Sequence, residues 1–236
     1  MDEPTIQELF DLTGRVALVT GGTGYLGSAI SRALAEAGAT VVISSRDRDR
    51  AQQAAGELPV EGDGSHHGVE LDHMDGDSIE TGFAEAVGVA GQIDIVVNNG
   101  HSALANDWTD VTHEQFAEHQ TNVAGFFALA RKLRSHVVDR GSPGSIIMLG
   151  SMYGQVASYP DAYEGVSPAS PAAYHALKGG IIHLTRHLAI YWAKDGVRVN
   201  CLSPGPFPNM DKAPHAMVDR LCTKSPMGRM GVPSEL

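Results

Sequence analysis

Six short, almost uninterrupted apolar runs punctuate the chain at 15–21, 40–45, 68–71, 93–98, 145–150 and 197–202. Between them lie longer stretches, 25–37, 47–58, 78–89, 112–140 and 172–193, in which small and apolar residues recur at helical spacing. Runs this uniformly apolar read as strands buried on both faces, and strand–helix alternation requires parallel pairing, because a parallel neighbour is reached only through a long crossover. The pattern predicts an α/β fold of the Rossmann type: a doubly wound parallel sheet with helices on both faces and six strands visible. Gly38 marks the end of the first long helix. The stretches 155–171 and 203–214 carry Gly and Pro without periodicity and are expected as loops over a site. One domain is expected over 1–236, which is length enough for one sizeable core.

The first strand runs into Thr20-Gly21-Gly22-Thr23-Gly24-Tyr25-Leu26-Gly27, where Gly22 to Gly27 satisfies G-x-G-x-x-G between a strand and a helix. Glycines there permit a tight turn and let the backbone approach a pyrophosphate, held by amides at the helix N-terminus. Gly21, Gly22, Thr23, Gly24, Tyr25, Leu26 and Gly27 are therefore candidate dinucleotide contacts. The second strand ends in Ser44-Ser45-Arg46 with no carboxylate at its tip. A carboxylate there would bind the ribose 2′-hydroxyl of NAD, whereas an arginine accommodates the 2′-phosphate of NADP. Ser45 and Arg46 thus predict NADP(H) in preference to NAD(H), with Asp47 beside them as a diluting charge.

Tyr174 and Lys178 lie one helical turn apart in Tyr174-His175-Ala176-Leu177-Lys178 and share a helix face. Taking a proton from a secondary alcohol while hydride leaves needs a base, and a free tyrosine is mostly protonated at neutral pH. A nearby ammonium and an oxidised nicotinamide would favour the phenolate, so Lys178 is expected to lower the Tyr174 pKa; in the reductive direction Tyr174 is the proton donor.

With these features in hand the chain resembles the short-chain dehydrogenase/reductase family over nearly its whole length. The resemblance implies further roles. Asp72 matches the aspartate beside the adenine, Asn98-Asn99-Gly100 the start of the Asn-Asn-Ala-Gly stretch flanking the cofactor, and Ser203-Pro204-Gly205 the segment beside the nicotinamide. Ser151 matches the catalytic serine that hydrogen-bonds the substrate oxygen, and Asn122 the asparagine that holds a water linking Lys178 to solvent. Asp72, Asn99, Gly100, Pro204 and Gly205 are the implied cofactor contacts, and Asn122, Ser151, Tyr174 and Lys178 the implied catalytic set.

The chain also departs from that family. Tyr25 stands where a glycine is usual, and the spacing Thr20-Gly21-x-x-Gly24-x-x-Gly27 resembles the sugar-nucleotide branch of the superfamily. His101 takes the place of a usual glycine and is a candidate substrate contact. Ser151 and Tyr174 are farther apart than is typical, so 155–171 reads as an insertion; its Tyr159, Tyr163 and Glu164 suit a hydroxyl-rich ligand and resemble gluconate 5-dehydrogenase-like or surface-sugar-pathway members. The chain stops at Leu236 where family members continue to a seventh strand, which is expected to be missing by C-terminal truncation.

Composition narrows the class. A formal charge of −11 argues against nucleic acid or an anionic membrane as partner. Two cysteines make no disulfide framework, the acidic start is unlike a signal peptide, and no apolar run is long enough to span a bilayer, so a cytoplasmic protein is expected. His183 and His187 sit one turn apart, but no third ligand accompanies them and no metal is expected. The sequence therefore predicts an NAD(P)-dependent oxidoreductase interconverting a secondary alcohol and a ketone on a small polar, sugar-derived substrate, as a homodimer or homotetramer. The alternatives are a sugar-nucleotide epimerase or dehydratase, for which little chain remains after residue 197 to build a substrate domain, and a non-catalytic cofactor-binding regulator, against which the four catalytic residues stand.

Overall fold

The computed structural model describes residues 3–60 and 64–236. Its strands are β1 (Val16–Thr20), β2 (Thr40–Ser45), β3 (His67–Glu70), β4 (Ile95–Asn98), β5 (Gly144–Leu149) and β6 (Val197–Leu202). The helices are α1 (Ile6–Phe10), α2 (Tyr25–Glu36), α3 (Arg48–Gly56), α4 (Gly76–Ala90), α5 (His113–Asp139), α6 (Pro160–Tyr163), α7 (Ala172–Trp192) and α8 (His215–Lys224). All strand pairs are parallel, in the order β3-β2-β1-β4-β5-β6. The order reverses on either side of β1, which places a crevice between β1 and β4 at the carboxyl ends of the strands.

Side-chain alternation divides the interior in two. Val16 and Leu18 of β1, Val96 of β4 and Ile146 and Met148 of β5 point to one face, where Phe83, Phe126, Leu129 and Leu133 of α4 and α5 and Leu177 and Ile181 of α7 cover them. Ala17 and Val19, with Val41 and Ile43 of β2, point to the other, under Ala35 of α2 and Ala51 and Ala55 of α3. Burial on both faces is why the strands read as continuous apolar runs. At the amino-terminal edge of the sheet the buried carboxylate of Asp94 accepts from the Val16 N–H at 3.0 Å and from Arg140 at 3.2 Å, tying β1 to the end of α5.

The predicted elements are present with shifts of a few residues at their ends, and the shifts have causes. Asp75 accepts from the N–H groups of Asp77 and Ser78, so α4 starts two residues before the expected 78. Thr112 and Gln115 form a reciprocal capping box that fixes the start of α5. Three helices were not predicted: α6, one turn with Pro160 at its first position, lies in the stretch expected as a loop, and α1 and α8 lie where no element was assigned. Helix α8 packs Val218 and Leu221 onto Ala162 of α6 and Met230.

Candidate active site

The turn after β1 is built for close approach. Gly21 takes a left-handed conformation (φ 60°) and would set a Cβ 3.1 Å from the Gly100 Cα; a Cβ on Gly27 would run into the Gly21 carbonyl and the Asn99 amide. Gly24 caps α2 with no side chain, so no side-chain group occupies the first-turn amides of that helix. Tyr25, which departs from the family pattern, sits at the first helical position with no left-handed backbone and is accommodated without a glycine. Thr20 and Asn99 stitch the two sides of the crevice. The Thr20 hydroxyl accepts from the N–H groups of Asn99 and Gly100, each at 2.9 Å, and Asn99 Nδ2 donates to the Thr20 carbonyl at 2.9 Å.

A groove of about 410 Å³ follows this crevice, lined by Gly21, Thr23, Gly24, Tyr25, Leu26, Gly27, Ser45, Arg46, Asp72, Asn99 and Gly100. Eleven of the fourteen expected cofactor contacts line this groove; Gly22 does not face it. A Cβ there would meet Ile43 and the Ser31 hydroxyl at 3.0 Å, so Gly22 serves packing of α2 on β2. Beside Ser45 the charges are sorted. Asp47 caps α3 by accepting from the Arg50 N–H, and Arg48 pairs with Glu85, whereas Arg46 makes no ion pair among the described residues. Arg50, which the sequence reading did not single out, also lines the groove. The glycine cradle, free amides and unpaired arginine fit a dinucleotide, which when bound supplies or accepts hydride.

The candidate catalytic side chains converge beyond the ends of β4 and β5. Ser151, 7% exposed, accepts from the Tyr153 N–H at 3.1 Å and lines the same cleft as Tyr174. Lys178 is 4% exposed; its Nζ donates to the Leu149 carbonyl at 2.7 Å and lies 5.5 Å from the centre of the Tyr174 ring. Burial pushes the Lys178 pKa down to about 8. The expected lowering of the Tyr174 pKa is not what the protein alone produces. Burial, the largest influence, raises it, and the Ser151 side chain only opposes that rise. The protein alone therefore holds the phenol protonated, and an oxidised nicotinamide, when bound, would add positive charge that favours the phenolate.

Asn122 is placed differently from expectation. Its Oδ1 accepts from His73 Nε2 at 2.9 Å and from the Ser102 N–H at 2.8 Å, while Nδ2 donates to the carbonyls of His119 at 2.8 Å and Ser102 at 3.2 Å. Two donors and two acceptors exhaust an amide, so the side chain has no capacity left for a relay water. His101 lines the dinucleotide groove and stands edge-on to the rings of Tyr174 and His119, each 5.3 Å between centres.

A second cleft of about 390 Å³ opens over Ser151 and Tyr174 and is lined by Pro204 and Gly205, with Tyr153 and Tyr163 on one wall. Leu26 and Asn99 line both cavities, so cleft and groove adjoin. Of the insertion residues Tyr163 reaches this cleft. Tyr159 and Glu164 do not line it: the Tyr159 ring carries the Lys224 ammonium 5.3 Å from its centre, and the Glu164 carbonyl accepts from Arg220. Tyr153, His73 and Arg50 are site residues that the sequence reading missed. Tyr153 alone left a signal, as an aromatic two residues after Ser151.

A family model described as enoyl-(acyl carrier protein) reductase matches residues 24–236. The chain belongs to the short-chain dehydrogenase/reductase family. It is accordingly an oxidoreductase that uses NAD(P)(H) to interconvert a secondary alcohol and a ketone. Among its relatives is galactitol 2-dehydrogenase (L-tagatose-forming) of Cereibacter sphaeroides, 35% identical, with 100% of this chain and 89% of the relative covered. Among solved structures, a gluconate 5-dehydrogenase from Burkholderia cenocepacia in complex with NADP and tartrate superposes with a TM-score of 0.84 at 28% identity, covering 98% of this chain and 88% of that one. A short-chain dehydrogenase from Leptospira borgpetersenii with bound NAD+ gives a TM-score of 0.82 at 26% identity, over 100% and 87% of the two chains. In this short-chain dehydrogenase/reductase, among the described residues, no helix is long and apolar enough to cross a membrane.

Proposed function

We propose that the protein is an NADP(H)-preferring reductase of a small polyhydroxy ketone, working reversibly on the corresponding secondary alcohol. The observation that carries this reading is the junction of the two cavities at Leu26 and Asn99, with Ser151 and Tyr174 on the substrate side of it. Tyr174, protonated in the free protein, gives the proton to the carbonyl oxygen, and Ser151 donates a hydrogen bond to that oxygen as charge develops. Lys178 supplies positive charge beneath the phenol. Asn122 acts as a positioning residue: its amide grips Ser102 on both its N–H and its carbonyl and so fixes the loop that holds His101 against Tyr174. Gly21, Thr23, Gly24, Leu26, Gly27, Asp72, Asn99 and Gly100 form the cofactor cradle, and Arg46, assisted by Arg50, meets a 2′-phosphate.

The named activities of the galactitol and gluconate dehydrogenases support a sugar-like substrate. Exposed Ile190 and Tyr191 on α7 and Phe127 on α5 support a homodimer or homotetramer, and the two free cysteines accord with a cytoplasmic setting. Fluorescence titration with NADPH and NADH, followed by addition of ketoses, tests the reading. Tighter NADPH binding and its oxidation by a ketose are expected; tighter NADH binding would overturn the cofactor assignment.

A further inference from the structure

The substrate cleft offers hydroxyl groups but no formal charge. Tyr153 and Tyr163 place their hydroxyl oxygens 2.7 Å apart on its wall. Both are held from behind. The Tyr153 ring stacks on His175 at 4.8 Å between centres and its N–H donates to Ser151, while Tyr163 ends α6, whose Asp161 and Glu164 carbonyls accept from Arg220. One phenol donates to the other, leaving a single free hydroxyl hydrogen and open lone pairs to face a ligand. Burial and the neighbouring phenol push the Tyr153 pKa up, so that phenol stays protonated. His175, behind the stack, is held below its ordinary pKa by burial and is neutral as well.

Three cations on α8 and the segment after it are committed elsewhere. Arg220 is spent on the α6 carbonyls, Lys224 on the Asp161 carboxylate at 2.5 Å, and Arg229 on Glu235. Lys178 lies buried beneath the Tyr174 ring with its ammonium on the Leu149 carbonyl. Among the described residues lining the cleft none is Arg or Lys, and Leu104, Met152 and Phe207 complete its wall. A carboxylate brought here sheds its water and finds no cation, at a cost that a hydroxyl, met by a phenol that can donate or accept, does not bear.

We propose that the cleft selects uncharged polyhydroxy ketones and alcohols over the matching sugar acids, with the Tyr153–Tyr163 hydroxyl pair reading a substrate hydroxyl and Tyr163 as a specificity-determining residue. This rests on the proposed function and narrows its substrate class.

Calorimetry on the complex with oxidised cofactor, in which a ketone binds but cannot react, gives the test. Ketohexoses spanning the C3–C5 configurations are compared with keto-aldonates that differ only in a terminal carboxylate for CH2OH, such as L-sorbose against 5-keto-D-gluconate. In the pair bound most tightly the ketose should bind at least about tenfold better, and Tyr163→Phe should remove about tenfold of that affinity while leaving cofactor affinity unchanged. Equal or tighter binding of the acid, failure of every pair to bind, or an unaffected Tyr163→Phe would overturn the proposal. Selective ketose binding without oxidation of NADPH would uphold the selection and remove the catalytic roles instead, so the two readings fail separately.

Discussion

His73 Nε2 lies 2.9 Å from Asn122 Oδ1, and because that oxygen can only accept, the imidazole proton sits on Nε2. The same ring occupies the space that a side chain at the next loop would need. A Cβ on Gly100 would stand 2.9 Å from His73 Nδ1 and 3.3 Å from two ring carbons, and behind it a Cβ on Gly125 would collide with the His73 carbonyl. A glycine at 100 and a histidine at 73 are thus complementary, and the glycine where the family pattern has alanine is explained by the imidazole rather than by backbone freedom, since Gly100 has no positive φ.

Gly100→Ala is accordingly expected to destabilise the protein by about 1–3 kcal/mol, the usual cost of overpacking. In a His73→Val background, which itself loses the bond to Asn122, Gly100→Ala should cost much less, because the smaller side chain vacates the position of the new methyl group. Urea unfolding of the two single variants and the double variant measures the coupling; purely additive effects would show that ring and loop do not compete for that space.

The proposed preference for NADP(H) rests on Arg46. The neighbouring acid, Asp47, is engaged in capping α3 through the Arg50 N–H, so it does not neutralise the arginine. Arg46→Ala should weaken NADPH roughly 10- to 100-fold, the equivalent of losing one or two charge-assisted hydrogen bonds, and leave NADH nearly unchanged. Parallel fluorescence titrations decide it, and an equal loss for both cofactors would place Arg46 away from the 2′-phosphate.

Acid should destabilise the fold well above the range in which carboxylates titrate. His73, His119, His136 and His175 are each held below the ordinary histidine pKa, with burial the largest cause. The unfolded chain then takes up protons first as the pH falls through about 6.5, so the stability these neutral rings contribute is present above that pH and is lost below it. Urea midpoints at about pH 7.5 and about pH 5.5 should differ by the equivalent of at least about 1 kcal/mol. A midpoint independent of pH over this window would mean that the buried rings take up protons without penalty.

The parts of the molecule legible in the sequence are those whose signal is local. Six apolar runs, the glycine turn and the Tyr174–Lys178 spacing each act within a few residues, and the fold returned them nearly in place. Helix α8 escaped because only Val218 and Leu221 are buried on it, and α6 because one turn has no period to read. What was illegible depends on residues far apart in sequence. The fit of His73 to Gly100, the saturation of Asn122 by the His73 ring and the backbone of Ser102 and His119, and the turning of Gly22 toward Ile43 rather than the groove are all tertiary facts. Within the insertion, Tyr163 and Tyr159 look alike in sequence; the one turn between them sends one toward Tyr153 and leaves the other under Lys224.

The most direct test of the account is Tyr174→Phe, assayed for both NADPH affinity and ketose-dependent NADPH oxidation. Loss of the hydroxyl leaves the groove at Gly21 to Gly27 and Arg46 untouched, so NADPH should bind within about twofold of the parent while kcat falls by roughly 10²–10⁴. Full turnover in this variant, with the fold intact, would contradict the assignment of Tyr174 as the proton donor and with it the mechanism proposed for this site.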